Sequence, residues 1–370
     1  MTNKKERILD LMRQGIITES EAIELLEKAG LADDTGAAKD EGKTQARSTD
    51  QEGYQTDSSE AVKHFVNQAG SLMKGLFQSA KKSVDDTVDF SSGFPSFKHL
   101  THSEFKAFDQ PIRELAVTAT SGDVTVVVKD VEKTIVEATY KVYGGVAEEA
   151  LADFIRDNVI ISLDEGQLRV AVQSKRIVVE LTITLARHQL AAAKFNVVNG
   201  MMTLKDLVAE NLTVKKVNGD LTVAGGKFGT AAIRNVNGEI KVSTDFDTAD
   251  ITNVNGEVLV TVTSLAAENL KVENVNGQVK ISVPANIGLV GYVKTIFGGY
   301  KTRLKLDNPL AIGIKGAALV RTAINSLTLD VTMVTGTIWL KDGQPAPYVA
   351  EAKTSEQASD KESEDKTSGD

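Results

Sequence analysis

Cysteine is absent from this 370-residue chain, so disulfides, thiolate nucleophiles and cysteine-ligated metals are excluded. Aromatic residues are scarce at 5%, with a single Trp, Trp339. Basic residues are outnumbered, 42 Lys and Arg against 51 Asp and Glu, for a net charge of −9. That balance argues against a general nucleic-acid binder, because phosphate contacts need clustered cations. No run of about 18 apolar residues occurs, so no spanning helix is expected. The opening Met1-Thr-Asn-Lys-Lys-Glu-Arg leads into an amphipathic pattern and does not read as a secretory signal. What the chain does have is aliphatic residues. Its hydrophobic content is 41% and its charged content 25%, values of a soluble protein with room for a sizeable core.

Those aliphatic residues are organised around a recurring phrase. Phe195-Asn-Val-Val-Asn-Gly200 is followed by Val214-Lys-Lys-Val-Asn-Gly219, Ile233-Arg-Asn-Val-Asn-Gly238, Ile251-Thr-Asn-Val-Asn-Gly256 and Val272-Glu-Asn-Val-Asn-Gly277. The Asn of each pair falls at Asn199, Asn218, Asn237, Asn255 and Asn276, with spacings of 19, 19, 18 and 21 residues. Near-constant short spacing is the mark of a repeat architecture. Alternation such as Glu239-Ile240-Lys241-Val242 reads as a strand with one buried face. Gly reaches positive φ without steric cost and Asn tolerates it, so each repeat has a sharp corner at Asn-Gly.

Two folds fit such a pattern. Asn-Gly can be a two-residue hairpin turn between antiparallel strands, or the corner of a solenoid coil whose equivalents stack about 4.8 Å apart. The loops at Ala224–Thr230, Thr244–Asp250 and Thr263–Asn269 are similar in length and each precedes an aliphatic residue (Ile233, Ile251, Leu270). That regularity at the second corner favours the solenoid. The expected fold is therefore mainly β: a single-chain β-solenoid of coils of about 19 residues, preceded by N-terminal α-helices. Stacking would also align Asn235, Asn253 and Asn274, whose amides could form a ladder or make only local backbone bonds. Ile233, Val236, Ile240 and Val242 supply the aliphatic set of one repeat, and Ile251, Val254, Val258 and Val260 that of the next.

Residues 1–31 read as a helical hairpin, with Ile8, Leu9, Leu11 and Met12 on one stripe, Gly15 ending the first helix and Thr18-Glu-Ser-Glu21 opening the second. Residues 32–59 are polar and read as a flexible linker. Residues 60–92 hold an amphipathic helix. Phe65, Leu72, Met73, Leu76 and Phe77 recur at threes and fours, flanked by Lys74, Lys81 and Lys82, a face that suits an anionic membrane surface or a partner. The β-repeat domain spans 93–345. Its opening is irregular, with a short helix over Ala147–Asp157 and a hairpin turn in Leu163–Leu168; its last strands run through Trp339, placed to close the final coil. Residues 346–370 form an acidic tail expected to be disordered.

Candidate chemistry is sparse. His99 and His102 are three apart and lack a third ligand. Phe297-Gly-Gly-Tyr-Lys-Thr does not have phosphate-loop spacing and reads as a turn. Asp220, Glu239, Glu257 and Gln278 follow successive corner glycines and would stack as a mostly acidic row, a conceivable Ca²⁺ site or simply a repelling one. No catalytic, cofactor or metal residues are assigned, and the chain is not expected to be an enzyme.

Two features together resemble a known group. The segment Ile8-Leu-Asp-Leu-Met-Arg-Gln-Gly-Ile-Ile-Thr-Glu-Ser-Glu-Ala-Ile-Glu-Leu-Leu26 is similar to the short helical module of LiaX/YvlB-like proteins of Gram-positive bacteria, and the Val-Asn-Gly-(Asp/Glu) repeats resemble their adhesin-type β-strand-repeat domain. The resemblance covers roughly 1–30 and 115–341. It implies a cell-envelope stress response linked to a Lia-type regulatory system, surface location and sensing of membrane-active antimicrobial peptides. The resemblance implies a membrane-active peptide and regulatory membrane proteins of that system as partners; the helices at 1–31 and 60–92 add an anionic membrane surface or a further copy of the chain. A cytoplasmic or inner-membrane-face location stays open, as do a self-assembling β-helical scaffold and an adhesin.

Overall fold

A computed structural model describes residues 99–307, 312–313 and 316–347. The helical hairpin expected over 1–31, the linker at 32–59, the acidic residues beyond 347 and the amphipathic face of Phe65, Leu72, Met73, Lys74, Leu76, Phe77, Lys81 and Lys82 lie outside the described residues.

The described chain is almost all strand. It begins with β1 (His99–Phe108), β2 (Glu114–Lys129) and β3 (Thr134–Tyr143). A 3₁₀ turn at Glu148–Ala150 runs into α1 (Leu151–Asn158), whose Leu151 and Ile155 are buried. Then come β4 (Val159–Asp164), β5 (Gln167–Val172), β6 (Ile177–Ala186), β7 (Leu190–Asn199), β8 (Met202–Lys205) and β9 (Val208–Asn218). The longest strands follow: β10 (Leu221–Asn237), β11 (Ile240–Val262), β12 (Asn269–Val283) and β13 (Gly288–Arg303). Short β14 (Ile312–Gly313) and β15 (Gly316–Arg321) precede β16 (Ser326–Asp342).

The repeats stack as parallel coils. Ile233 pairs with Ile251 and Asn237 with Asn255 across β10 and β11; Ile251 pairs with Val272 and Gly256 with Gly277 across β11 and β12. Parallel pairing between equivalent positions of successive repeats excludes the hairpin reading, which needs antiparallel neighbours. Each coil has one strand segment before the Asn-Gly corner and one after it, and the aliphatic residues of both point into a common core. Ile233, Ile240, Ile251, Val258, Val272 and Val279 are each no more than 1% exposed.

The order of coils along the stack is not their order along the chain. β2 sits between the coil of β5 and β6 and the coil of β7 and β8, though it precedes both. β16 sits between β12 and β13, though it follows both. The expectation that Trp339 closes the final coil is therefore corrected. Its strand lies inside the stack, and its ring faces outward, 37% exposed. Antiparallel strands cover both ends: β3 and β1 continue from β6, β4 flanks β5, and β15 and β14 continue from β13. Such covers interrupt the parallel ladder that an open coil end would present to another chain.

Candidate functional site

The corner glycines form one column. Gly122, Gly200, Gly219, Gly238, Gly256, Gly277, Gly336 and Gly298 follow one another through the stack. Gly238 shows why only glycine fits: its φ is +127°, and a Cβ there would lie 2.3 Å from the carbonyl oxygen of Gly219 in the preceding coil. The backbones meet edge to edge, with Gly238 N–H donating to the Asn255 carbonyl at 2.9 Å.

Beside the glycines runs a ladder of side-chain amides. Nδ2 of Asn276 donates to Oδ1 of Asn255 at 3.1 Å, Asn255 to Asn237 at 2.9 Å, and Asn237 to Asn218 and Asn218 to Asn199 at 2.8 Å each. Asn199 ends the series on the Thr120 carbonyl and the Ser121 hydroxyl, both at 3.4 Å. The continuous ladder is thus made by the turn asparagines themselves.

The asparagines two places earlier do something else. Asn235, Asn253 and Asn274 point inward and are 3%, 0% and 0% exposed. One amide link joins Asn235 to Asn253 at 3.2 Å. Otherwise they donate to corner carbonyls: Asn253 to Gly238 at 3.3 Å, Asn274 to Gly256 at 3.1 Å, and Asn235 to Gly238 at 3.4 Å. A buried carbonyl needs a donor, and a short amide two residues before the corner reaches it. Strand alternation carries the inward phase from Ile233 to Asn235; Val236, counted with the aliphatic set in the sequence, is buried beside it, while its counterpart Val254 is half-buried.

Sequence reasoning passed over Lys216, which occupies the same inward column. It is 1% exposed, and its Nζ donates to the carbonyls of Gly200 and of Asn218, the latter at 2.6 Å. Burial pulls its pKa from 10.5 down to about 8, against the opposing pull of Asp220 and Asp123. The signal was present: Lys216 stands where Asn235, Asn253 and Asn274 stand in their repeats.

The acidic row is occupied by local work. Asp123 Oδ1 accepts the Met201 N–H at 2.7 Å, and Asp220 Oδ1 accepts the Glu239 N–H at 2.8 Å. Glu239 pairs with Lys241 at 2.7 Å, and Glu257 pairs with Lys280. Among the described residues, no three His, Cys, Asp or Glu side chains converge on a metal position. His99 and His102 fall on opposite faces of β1, by strand alternation, and each lies against a tyrosine ring, Tyr143 at 5.3 Å and Tyr140 at 6.4 Å. Phe297-Gly298 is the corner of the β13 coil, in register with Thr335-Gly336. At the corner opposite Asn-Gly, an open groove of about 620 Å³ is lined by Arg187, His188, Gln189 and Asp206 among others. The imidazole there is tied to the Ile112 carbonyl at 2.5 Å.

Fold and site define a parallel β-solenoid whose recurring polar residues hold its own corners together. Residues 150–293 match the family model described as Toastrack DUF4097. Among solved structures, similarity is found to a proposed cell adhesion protein from Clostridium sporogenes, at 11% identity over 66% of this chain and 100% of that one, with a TM-score of 0.31. A proposed adhesin from Bacteroides fragilis shows 11% identity, coverage of 65% and 97%, and a TM-score of 0.35. One from Parabacteroides distasonis gives 11%, 65% and 97%, and 0.29. Identities this low carry no function with them.

Proposed function

We propose that the chain is a non-enzymatic cell-envelope stress protein in which the solenoid is a rigid interaction platform. The N-terminal residues 1–92 engage a membrane, a membrane-active peptide or a regulatory membrane protein of a Lia-type system. The observation that carries the platform is the in-register column of corner glycines with its amide ladder. In that column the turn asparagines bond to one another, and Asn253, Asn274 and Lys216 donate to backbone carbonyls of the corners. The envelope role is supported by the resemblance of residues 8–26 and the Val-Asn-Gly repeats. No helix of the described residues is long and apolar enough to cross a membrane. Protease treatment of intact cells tests location: loss of the protein supports an outward-facing platform, and full protection contradicts it. An adhesin remains the second reading, tested by binding to glycan and host-matrix panels. The self-assembling scaffold is disfavoured by the antiparallel strands covering both coil ends.

A further inference from the structure

The outer face near the C-terminal end of the stack carries a basic field that the repeat does not require. Three strands lie there in the order β12, β16, β13. Gln278, Thr337 and Gly299 share one row; Lys280, Trp339 and Lys301 share the next; Ser282, which is buried, shares a third with exposed Lys341 and Arg303. Rows two residues apart point to the same side of a sheet, and the residues between them, Val279, Ile281, Ile338 and Leu340, are buried in the core. Four of the nine positions are cationic and none is acidic, in a chain of net charge −9. Lys280 is paired with Glu257 of the adjoining coil. Lys301, Arg303 and Lys341 are exposed, and none is ion-paired among the described residues. Trp339 stands in the middle of the field, with the Lys301 ammonium 4.2 Å from its ring centroid.

We infer that this face docks on the anionic surface of a lipid bilayer. An indole flanked by lysines is amphipathic: the ring suits the headgroup boundary and the ammonium groups suit lipid phosphates. A linear polyanion would be served by one line of cations. Here the cations lie on both sides of an aromatic ring across a sheet face, an arrangement that a planar charged surface engages all at once. The site is built of other residues than those singled out at 60–92 in the sequence, and it stands whether or not the envelope-stress role does.

Trp339 is the only Trp, so its emission reports this face alone. The full chain is titrated with phosphatidylcholine vesicles, with vesicles containing phosphatidylglycerol, and with soluble inorganic polyphosphate. The expected result is a blue shift, and protection from an aqueous quencher, only with the anionic vesicles and weakened by salt. Replacing three cations (K301Q, R303Q and K341Q together) weakens binding about a hundredfold, at about fivefold per cation. Three outcomes overturn the inference: no vesicle binding, binding with Trp339 emission unchanged, or a shift with polyphosphate and none with vesicles. The second would place the contact elsewhere in the chain and leave the role of residues 60–92 intact. The wild-type titration needs no variant and so does not depend on one folding.

Discussion

Replacing Gly238 with alanine adds one methyl group at a place with no room for it. The Cβ would sit 2.3 Å from the Gly219 oxygen, and that oxygen is backbone, fixed by the coils on either side. The φ of +127° adds a conformational penalty of about 1–3 kcal/mol for a residue with a side chain. Relief of the contact requires the two coils to part at the corner, which stretches the Gly238-to-Asn255 backbone bond and the amide ladder beside it. A total loss of about 3–5 kcal/mol follows, in the range reserved for specific structural lesions. Gly299 is the matched control. A Cβ on Gly299 would meet no atom within 4 Å, and the φ of this residue is not in the left-handed range, so Gly299→Ala should be neutral or stabilising by up to about 1 kcal/mol. Urea unfolding of the full chain, followed by far-ultraviolet circular dichroism, measures both. Because repeat arrays can unfold in parts, the midpoint of the first transition is compared. If Gly238→Ala unfolds within about 0.5 kcal/mol of wild type, a spread typical of inconsequential surface changes, the close-packed corner is wrong.

Asn253→Ala, which strips a buried donor from the Gly238 carbonyl, should cost about 2–3 kcal/mol, and Asn237→Ala, in the exposed ladder, about 1 kcal/mol; equal losses in urea melts would contradict the inward and outward assignments. The folded-state pKa of Lys216, about 8, lies below its unfolded value of 10.5. The unfolded chain therefore binds the extra proton between those values, and stability rises with pH across that window. Relative to Lys216→Met, wild type should gain up to roughly 3 kcal/mol from pH 8 to 10.5, and a flat difference would refute the buried ammonium. Arg321 is 8% exposed; it donates to the Ile287 and Pro284 carbonyls at 2.6 and 2.9 Å and pairs with Asp342. Arg321→Ala should cost about 3–5 kcal/mol and speed hydrogen exchange in β15 first.

The stacking was legible because Asn-Gly recurs at a spacing of one coil, and because aliphatic residues return in the same phase after each corner. The inward role of Asn235 was legible in principle, since Ile233 sets the phase, but hydropathy favours Val236 and hides it. Lys216 was hidden for the same reason: a lysine between two valines reads as solvated until its column is known. The position of β2 and β16 was not legible. Which coil neighbours which depends on contacts between segments far apart in the chain, and periodicity within a segment says nothing about that. The outward face of Trp339 follows from alternation with buried Ile338 and Leu340, but the basic field around it follows from the insertion of β16 between β12 and β13.

The stack order can be read by cross-linking, on a chain with no cysteine of its own. Gln278 and Thr337 are register partners on adjacent strands, within the Cα separation of about 4.4–6.8 Å that a disulfide accepts; Gln278 and Gly299 are two strands apart, at about 9.6 Å. The double variant Q278C with T337C should form a disulfide under mild oxidation, and Q278C with G299C should not. Efficient bridging of the second pair and none of the first would mean that the coils follow chain order, and the place of β16 between β12 and β13 would be wrong.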